Sequence, residues 1–285
     1  LSNNSVNCIM EDSNKQLWIG TWDGLNAYTG RDVISFRYNK NDSKSISNNV
    51  IRQILEQDKD RLWISTDYGI NMWDKKIQGF RKYFFEAEHI PKQEKSFQIA
   101  ITNQKRVIAY VKGEGFYYFD EKIKSFKTFE KSNVQGFDCN ITNMVVNSDN
   151  YLYMLCEDGS VMYTKIVVKD NALQMQYINR YPLPFKTEYL FYSDGKLIVS
   201  GKGYMTIIEE SSSKSILSDS DMTPNNVSVK GNMLYYTVPK KGCFAYNMVD
   251  KSHRRIEGLP QNILYFSLYA GSQDILWIGT DGQGV

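Results

Sequence analysis

The sequence predicts an all-β fold, a seven-bladed β-propeller whose last blade is incomplete. Three features indicate it: a repeat with a period near 43 residues, apolar runs of strand length between Gly, Asn and Asp, and no sustained helical periodicity. A repeat of that period is typical of propeller blades, each a sheet of four short strands. Since 42% of the 285 residues are hydrophobic and 14% are aromatic, a disordered chain is excluded.

The repeat is clearest in one five-residue segment. LWIGT at 17–21 recurs as LWIST at 62–66 and as LWIGT at 276–280, and weaker copies lie between them. The second residues of the successive copies are Trp18, Trp63, Ile108, Tyr153, Ile198, Tyr235 and Trp277. The steps between them are 45, 45, 45, 45, 37 and 42 residues, which predicts seven blades in a single domain spanning residues 1–285.

Each unit divides into four predicted strands joined by polar turns. In the first unit the strands are expected at 6–10, 17–21, 25–28 and 33–38. In the second unit they are expected at 51–55, 62–66, 70–73 and 80–83. The predicted blades cover approximately 1–42, 43–86, 87–130, 131–181, 182–219, 220–258 and 259–285, the last of them truncated.

The seventh unit stops soon after its second strand. Only DGQGV follows the LWIGT segment at 276–280, so most of a third strand and all of a fourth are missing. We therefore expect the chain to be a fragment of a longer protein. Because a single blade cannot bury both of its faces, blades stack side by side around an axis. Trp18, Trp63 and Trp277 are accordingly expected to be buried between blades.

The charge balance argues against a nucleic-acid binding domain. The chain has 34 Lys and Arg residues against 32 Asp and Glu residues, and no basic stripe. No apolar stretch approaches the roughly 18 residues of a membrane span. The cysteines lie in apolar or strand-like surroundings without C-x-x-C spacing, which favours small buried hydrophobic side chains; the sequence specifies no disulfide. These cysteines are Cys8, Cys139, Cys156 and Cys243.

Distinctive catalytic and metal-binding motifs are absent from the sequence. The two histidines, His89 and His253, lie in polar stretches and are interpreted as exposed loop residues. There is no G-x-S-x-G segment and no spacing of metal ligands, so neither a cofactor nor a metal is predicted. Asp and Asn recur in the turns between first and second strands, where they stabilise the turn. Calcium binding through Asp58 and Asp60 is the alternative.

The turns between second and third strands carry the candidate ligand-binding residues. In a propeller these turns rim one end of the central channel. Sugar rings stack on aromatic faces, and carboxylates accept hydrogen bonds from hydroxyl groups, so such a rim suits a polar ligand. The alternative is that the Asp-Gly and Tyr-Gly pairs only form tight turns. The candidates are Trp22, Asp23, Asp67, Tyr68, Glu114, Glu157, Asp158 and Tyr204.

Two segments resemble the two-component regulator propeller repeat. Residues 1–28 contain LSNNSV, EDS, LWIGT and GLN in the family's order, and the linker NDSKSISNNV at 41–50 resembles the connection between its repeats. The resemblance is strong over 1–86 and 259–285 and only architectural over 87–258. In that family the motif packs blades, so it identifies the blade and not the ligand.

The resemblance implies a periplasmic sensor region of a hybrid two-component system protein of Bacteroides-type bacteria. It implies one half of a tandem propeller pair, then an immunoglobulin-like domain, a membrane span, a histidine kinase, a receiver and a DNA-binding module. The expected partners are an oligosaccharide, the second propeller of the same chain and a second protomer, with membrane contact only through the later parts. The chain itself is then not an enzyme, although the full-length protein would carry kinase activity.

Three classes of function remain open. The first is an extracytoplasmic ligand sensor of an inner-membrane protein, which the resemblance favours. The second is a propeller glycosidase or lyase, which would need two suitably spaced carboxylates. The third is a protein-interaction scaffold, which would show a large exposed apolar patch.

Overall fold

Seven sheets follow one another along the chain and form a propeller in the computed structural model. The structure describes residues 1–85, 96–129, 139–169, 172–176, 178–181, 183, 185–209, 213–260 and 262–285. Within these ranges the regular structure is 27 strands, and no helix is present. The described residues therefore include no helix that is long and apolar enough to cross a membrane.

The first three sheets are regular four-stranded blades, with neighbouring strands antiparallel and in chain order. Blade 1 consists of β1 (Val6–Glu11), β2 (Leu17–Thr21), β3 (Gly24–Tyr28) and β4 (Val33–Phe36). Blade 2 consists of β5 (Ile51–Asp58), β6 (Arg61–Thr66), β7 (Gly69–Asp74) and β8 (Gly79–Tyr83). Blade 3 consists of β9 (Phe97–Ile101), β10 (Val107–Val111), β11 (Gly115–Asp120) and β12 (Ser125–Thr128).

Blade 4 has five strands because its long third strand pairs with two short ones. It consists of β13 (Ile141–Val146), β14 (Tyr151–Cys156), β15 (Val161–Lys169), β16 (Ala172–Met175) and β17 (Asn179–Tyr181). Blade 5 consists of β18 (Tyr189–Ser193), β19 (Lys196–Gly201), β20 (Tyr204–Ile208) and β21 (Ser213–Ser218). Blade 6 consists of β22 (Asn226–Lys230), β23 (Met233–Val238), β24 (Gly242–Asn247) and β25 (His253–Arg255).

The structure has six blades, which corrects the expected seven, and the last repeat is incomplete as expected. The last repeat forms a sheet of only two strands, β26 (Tyr265–Ala270) and β27 (Leu276–Thr280), because its sequence supplies no third or fourth strand. This small sheet lies between blades 6 and 1, since β26 contacts both β22 and β1. Each first strand contacts the first strand of the next sheet, so the inner strands form a closed ring.

The two S-N-N segments, at 2–4 and 47–49, are hydrogen-bonded to the blades that follow them. The backbone N–H of Ser47 donates to Oδ1 of Asn71 across 2.8 Å, and its hydroxyl lies 3.0 Å from that of Thr66. Ser2 makes the equivalent contacts with Asn26 and Thr21 in blade 1. All the hydrogen-bonding partners in blade 2 are buried. The polar residues of the repeat therefore satisfy buried groups, which is a structural role.

The predicted burial of the repeat tryptophans is confirmed for two of the three. Trp18 and Trp63 are 3% and 0% exposed, whereas Trp277 is only half-buried. Trp18 stacks on Phe36 from the fourth strand of its own blade, with ring centroids 6.0 Å apart. Trp277 contacts Tyr28 of blade 1 at 6.1 Å, but its two-stranded sheet has no fourth strand to cover the other side.

Two of the four cysteines form a disulfide, so the interpretation that the sequence favoured, small buried hydrophobic side chains, is wrong for this pair. Cys139 is bonded to Cys156, with their Cα atoms 5.9 Å apart. The pairing follows from strand register, because β13 and β14 place Ile141 opposite Cys156 and thus bring Cys139 alongside. Cys8 and Cys243 are free thiols, and burial raises the pKa of each to about 12.

One of the two histidines, His253, lies among the residues that the structure describes. His253 is exposed as expected, although it lies in the outermost strand of blade 6 and not in a loop. The ring of His253 contacts Tyr246 edge-on at 4.6 Å. His89 lies outside the described residues.

Candidate functional site

A cavity of about 900 Å³ lies at the centre of the ring. Its wall is built mainly from the first strands of the seven sheets, whose alternate side chains point away from the sheet planes. Near the end where second and third strands meet, most of these side chains are polar. They are Asn7, Arg52, Gln98, Thr142, Glu188 and Asn226.

Arg52 is held at the mouth of this cavity by a carboxylate and an aromatic ring. Its Nε lies 2.6 Å from Oδ1 of Asp67 and its Nη2 lies 3.1 Å from Oδ2, which is a bidentate pair. The guanidinium carbon lies 4.8 Å from the centre of the Trp22 ring. Both charged side chains are partly exposed, so the pair adds little stability. It does fix the direction in which the guanidinium points.

A second ion pair bridges the turns of blades 3 and 4 beside the cavity. Lys112, which lines the cavity, donates to Glu157. This bond, together with one from the Asn140 side chain, holds the pKa of Glu157 below its usual range. Glu188 also lines the cavity and is exposed, and it has no ion-pair partner among the residues that the structure describes.

Aromatic rings and amides complete the wall. Tyr68 stands at the mouth and is 38% exposed, and Tyr189 is half-buried further along the ring. Gln53 and Asn143 supply amide groups between them. Gln53 uses its Oε1 to accept the N–H of Ile99 at 2.9 Å. The wall thus combines aromatic faces with hydrogen-bond donors and acceptors.

Only two of the eight candidate residues, Asp67 and Tyr68, line the cavity directly. Trp22 packs under Arg52, which lines the cavity, and Glu157 forms an ion pair with Lys112, which also lines it. These four residues come from the turns of blades 1, 2 and 4, as the repeat phase predicts.

Three of the other candidates are engaged in local structure. Asp23 accepts the Asn49 amide at 3.0 Å and pairs with Arg37 at 2.9 Å, which ties the turn of blade 1 to the linker. The hydroxyl of Tyr117 donates to Glu114. The carboxylate of Asp158 accepts the backbone N–H and hydroxyl of Ser160, which closes its own turn.

Tyr204 is buried and therefore offers no exposed ring face at the rim. It is 7% exposed, and the ring of Phe185 covers it at a centroid distance of 4.2 Å. Its hydroxyl donates to the carbonyl of Lys186 across 2.9 Å and lies 3.1 Å from that of Thr187. The turn residue has thus become part of the blade core.

Sequence reasoning missed the polar residues of the first strands. Arg52 and Gln98 are the second residues of β5 and β9, and Glu188 directly precedes β18. A polar residue at or just before the start of a first strand is the feature of the sequence that could have indicated this polar wall. No group of three or more His, Cys, Asp or Glu in the described ranges could hold a metal.

Residues 1–23 match the family described as two component regulator propeller, which confirms the resemblance over that segment. No curated protein matches the chain in sequence. Among solved structures, the extracellular domain assigned to a hybrid two component system of B. thetaiotaomicron is 20% identical, with a TM-score of 0.76. That match covers 100% of this chain and 40% of the other.

Two further structures share the fold. A second extracellular domain assigned to a hybrid two component system of B. thetaiotaomicron is 19% identical, with a TM-score of 0.69, over 99% of this chain and 38% of the other. The virginiamycin B lyase of Staphylococcus aureus, in a catalytically inactive histidine-to-alanine form with quinupristin, is 9% identical with a TM-score of 0.72. It matches over 99% of this chain and 94% of its own. The chain thus spans about 40% of the two-component domains, and these identities show a common fold alone.

Proposed function

We propose that the chain is an extracytoplasmic, periplasmic ligand-sensing part of a hybrid two-component signalling protein, and that its ligand is an oligosaccharide. The match of residues 1–23 to the regulator propeller family and the likeness to two-component extracellular domains support the sensor role. The Cys139–Cys156 disulfide supports an oxidising compartment outside the cytoplasm.

The observation that carries the choice of ligand is the composition of the central cavity. An oligosaccharide presents hydroxyl groups around flat ring faces, and the wall offers Tyr68 and Tyr189 for stacking. The amide of Gln98 and the carboxylate of Glu188 can bond hydroxyl groups. A volume of about 900 Å³ lies within the usual range for small-ligand sites.

A sensor needs no turnover but needs a ligand that binds one arrangement of the receptor more tightly than another. We propose that the rim faces the second propeller or a second protomer, so that an occupied cavity changes that contact. Arg52 and Asp67 stand at the mouth with more than a third of each side chain exposed, and they could contact such a surface.

An enzymatic role is the second candidate, because a lyase shares the fold over nearly its whole length. That lyase is inactive when a histidine is replaced by alanine, whereas the described lining of this cavity contains no histidine. A glycosidase would need two free carboxylates, but Asp67 is held by Arg52 and only Glu188 is unpaired among the described lining residues. The most exposed apolar side chains, such as Val249 and Ile123, lie on different blades, which gives a scaffold little support.

The test is calorimetry on the complete extracytoplasmic region with defined fragments of plant and host glycans. Tyr68→Ala should weaken the affinity for the bound glycan at least about tenfold, or about 1.4 kcal/mol, through the loss of one stacking face. Tyr38→Ala, which removes a half-buried ring outside the cavity, is the matched control and should leave the affinity unchanged. Unchanged affinity in a folded Tyr68→Ala protein would place the site elsewhere, and release of reducing sugar would favour an enzyme.

A further inference from the structure

Aromatic side chains fill the space between blades 2 and 3. Trp63 of β6 contacts Tyr83 from the fourth strand of its own blade at a centroid distance of 5.5 Å. It also contacts Phe119 and Phe126 of blade 3, at 4.8 and 5.5 Å. Trp18 packs with an equivalent set between blades 1 and 2. Each of these spaces therefore holds four large rings.

The equivalent positions between blades 4 and 5 carry smaller or more polar side chains. Strand register puts Tyr153 in the place of the tryptophan and Tyr181 in the place of the fourth-strand ring. On blade 5, Ile208 and Ser213 replace the two rings that the next blade supplies elsewhere. The wall on blade 5 therefore has no aromatic ring at these two positions, and the wall on blade 4 is made of tyrosines.

A crevice of about 780 Å³ lies in this space and extends past blade 5 to Asn232 and Met248 of blade 6. Its tyrosine wall is partly exposed, with Tyr153 and Tyr163 stacked at 5.9 Å and an interplanar angle of 23°. Tyr181 meets Tyr163 edge-on at the same distance. Leu197 and Ile208 form the facing apolar wall. The crevice shares no lining residue with the central cavity.

The crevice also offers hydroxyl groups as donors and acceptors. Tyr192 accepts the backbone N–H of Ser148 at 2.9 Å, which leaves its own hydroxyl proton directed elsewhere. Burial, together with the neighbouring tyrosines, raises the pKa of Tyr153 to about 12, so that hydroxyl stays protonated at neutral pH. Charged side chains of both signs line the crevice, among them Asp149 and Lys196. The lining therefore selects for neither a strong anion nor a strong cation.

We propose that the crevice between blades 4 and 5 is a second binding site, which takes a neutral saccharide of one or two rings. A pyranose ring has apolar faces that stack on tyrosine and equatorial hydroxyl groups that meet tyrosine hydroxyls. The volume lies within the range of small-ligand sites. Five tyrosines line the crevice and supply both ring faces and hydroxyl groups: Tyr151, Tyr153, Tyr163, Tyr181 and Tyr192.

The site is tested by saturation-transfer NMR with four probes, the methyl glycosides of glucose, galactose, mannose and N-acetylglucosamine, at high millimolar concentration. Ile208→Trp places a large ring in the crevice, as in the spaces between the first blades. Because the ring fills the space, it should weaken binding at least tenfold. Tyr181→Ala removes one stacking face from an outer strand and should also weaken binding at least tenfold. This second variant keeps the test decisive if Ile208→Trp folds poorly. Tyr38→Ala lies outside both cavities and serves as the control.

Saturation transfer to at least one glycoside, weakened in either folded crevice variant and kept in the control, is the expected result. Absence of transfer to all four probes, or binding unaffected by both crevice variants, would overturn the proposal. A signal lost in Tyr68→Ala and kept in the crevice variants belongs to the central cavity. That result would support the proposed sensing site while rejecting the crevice.

Discussion

The backbone N–H of Ser272 donates to the carboxylate of Glu11 across 3.1 Å, and the Ser272 hydroxyl donates to the same group. Ser13 makes the same two bonds to Glu56. Strand register makes the two pairs equivalent, so the two-stranded sheet packs on blade 1 as blade 1 packs on blade 2. The ring is therefore closed by a contact of the repeat itself, between residues 261 positions apart.

Glu11→Ala is expected to weaken this closure. Loss of the charged acceptor should lower the free energy of unfolding by about 1–3 kcal/mol, as for hydrogen bonds to charged groups. Hydrogen exchange of the amides in β26 and β27 should become faster, and this is the decisive measurement. Glu56→Ala removes the equivalent bond between blades 1 and 2 and should leave exchange in the last sheet unchanged. Equal exchange of β26 and β27 in wild type and Glu11→Ala would contradict the prediction.

Truncation of the repeat tryptophans should have unequal effects. Trp63→Ala is expected to lower the free energy of unfolding by about 3–5 kcal/mol, because the ring is fully buried among three others. Trp277→Ala should have clearly less effect, since that ring is only half-buried and makes a single ring contact, with Tyr28, among the described residues. Urea unfolding of both variants measures the difference. Equal losses of unfolding free energy in the two variants would contradict the prediction and would mean that Trp277 is as well packed as Trp63.

The repeat pattern predicted the strands of the first blades well because each strand is specified locally. The predicted segment 17–21 is β2, and the predicted 25–28 differs from β3 by one residue. The predicted number of blades, seven, was wrong because the LWIGT segment marks a second strand only. It therefore counts sheets, whether or not a third and a fourth strand follow.

The candidate site was less predictable because it depends on the closure of the ring. Asp67 and Tyr68 could be predicted because the repeat locates the turn between second and third strands, and they do line the cavity. Glu188 joins the same cavity only when first strands far apart in sequence form the central wall, whereas the β5–β6 hairpin already brings Arg52 to Asp67. The disulfide likewise depends on the register of β13 and β14, which the spacing of the cysteines does not specify.

The disulfide pairing can be read from alkylation and intact mass. In denatured, unreduced protein two cysteines should be alkylated, Cys8 and Cys243, and all four should react after reduction. Cys156→Ser should lower the free energy of unfolding by about 2–4 kcal/mol under oxidising conditions, a typical value for losing a native bridge. Cys8→Ser, which keeps the bridge, is the control. Four alkylated cysteines without reductant would show that the bond is absent.

Asp12 links the Trp18 ring to the neighbouring blade. Its carboxylate accepts the indole N–H of Trp18 at 3.0 Å and the ammonium of Lys75, from blade 2, at 2.7 Å. Burial of the carboxyl disfavours its charged form, but the bonds from Lys75, Trp18 and Gln16 outweigh that effect. The pKa of Asp12 consequently lies below its ordinary value of 3.8. The ionised form is therefore the one that stabilises the fold.

Acid should remove the stabilisation that Asp12 provides. Because the pKa is lower in the folded than in the unfolded protein, this contribution is fully present above the ordinary value and is lost as the pH falls through the folded pKa. Asp12→Asn should destabilise the protein at neutral pH and make its stability less dependent on pH between about pH 6 and about pH 3. Urea unfolding across that interval measures both effects, with Asp32→Asn as an exposed control. The same loss of stability on acidification in wild type and Asp12→Asn would show that other carboxylates, such as Glu11 and Asp58, account for the acid sensitivity.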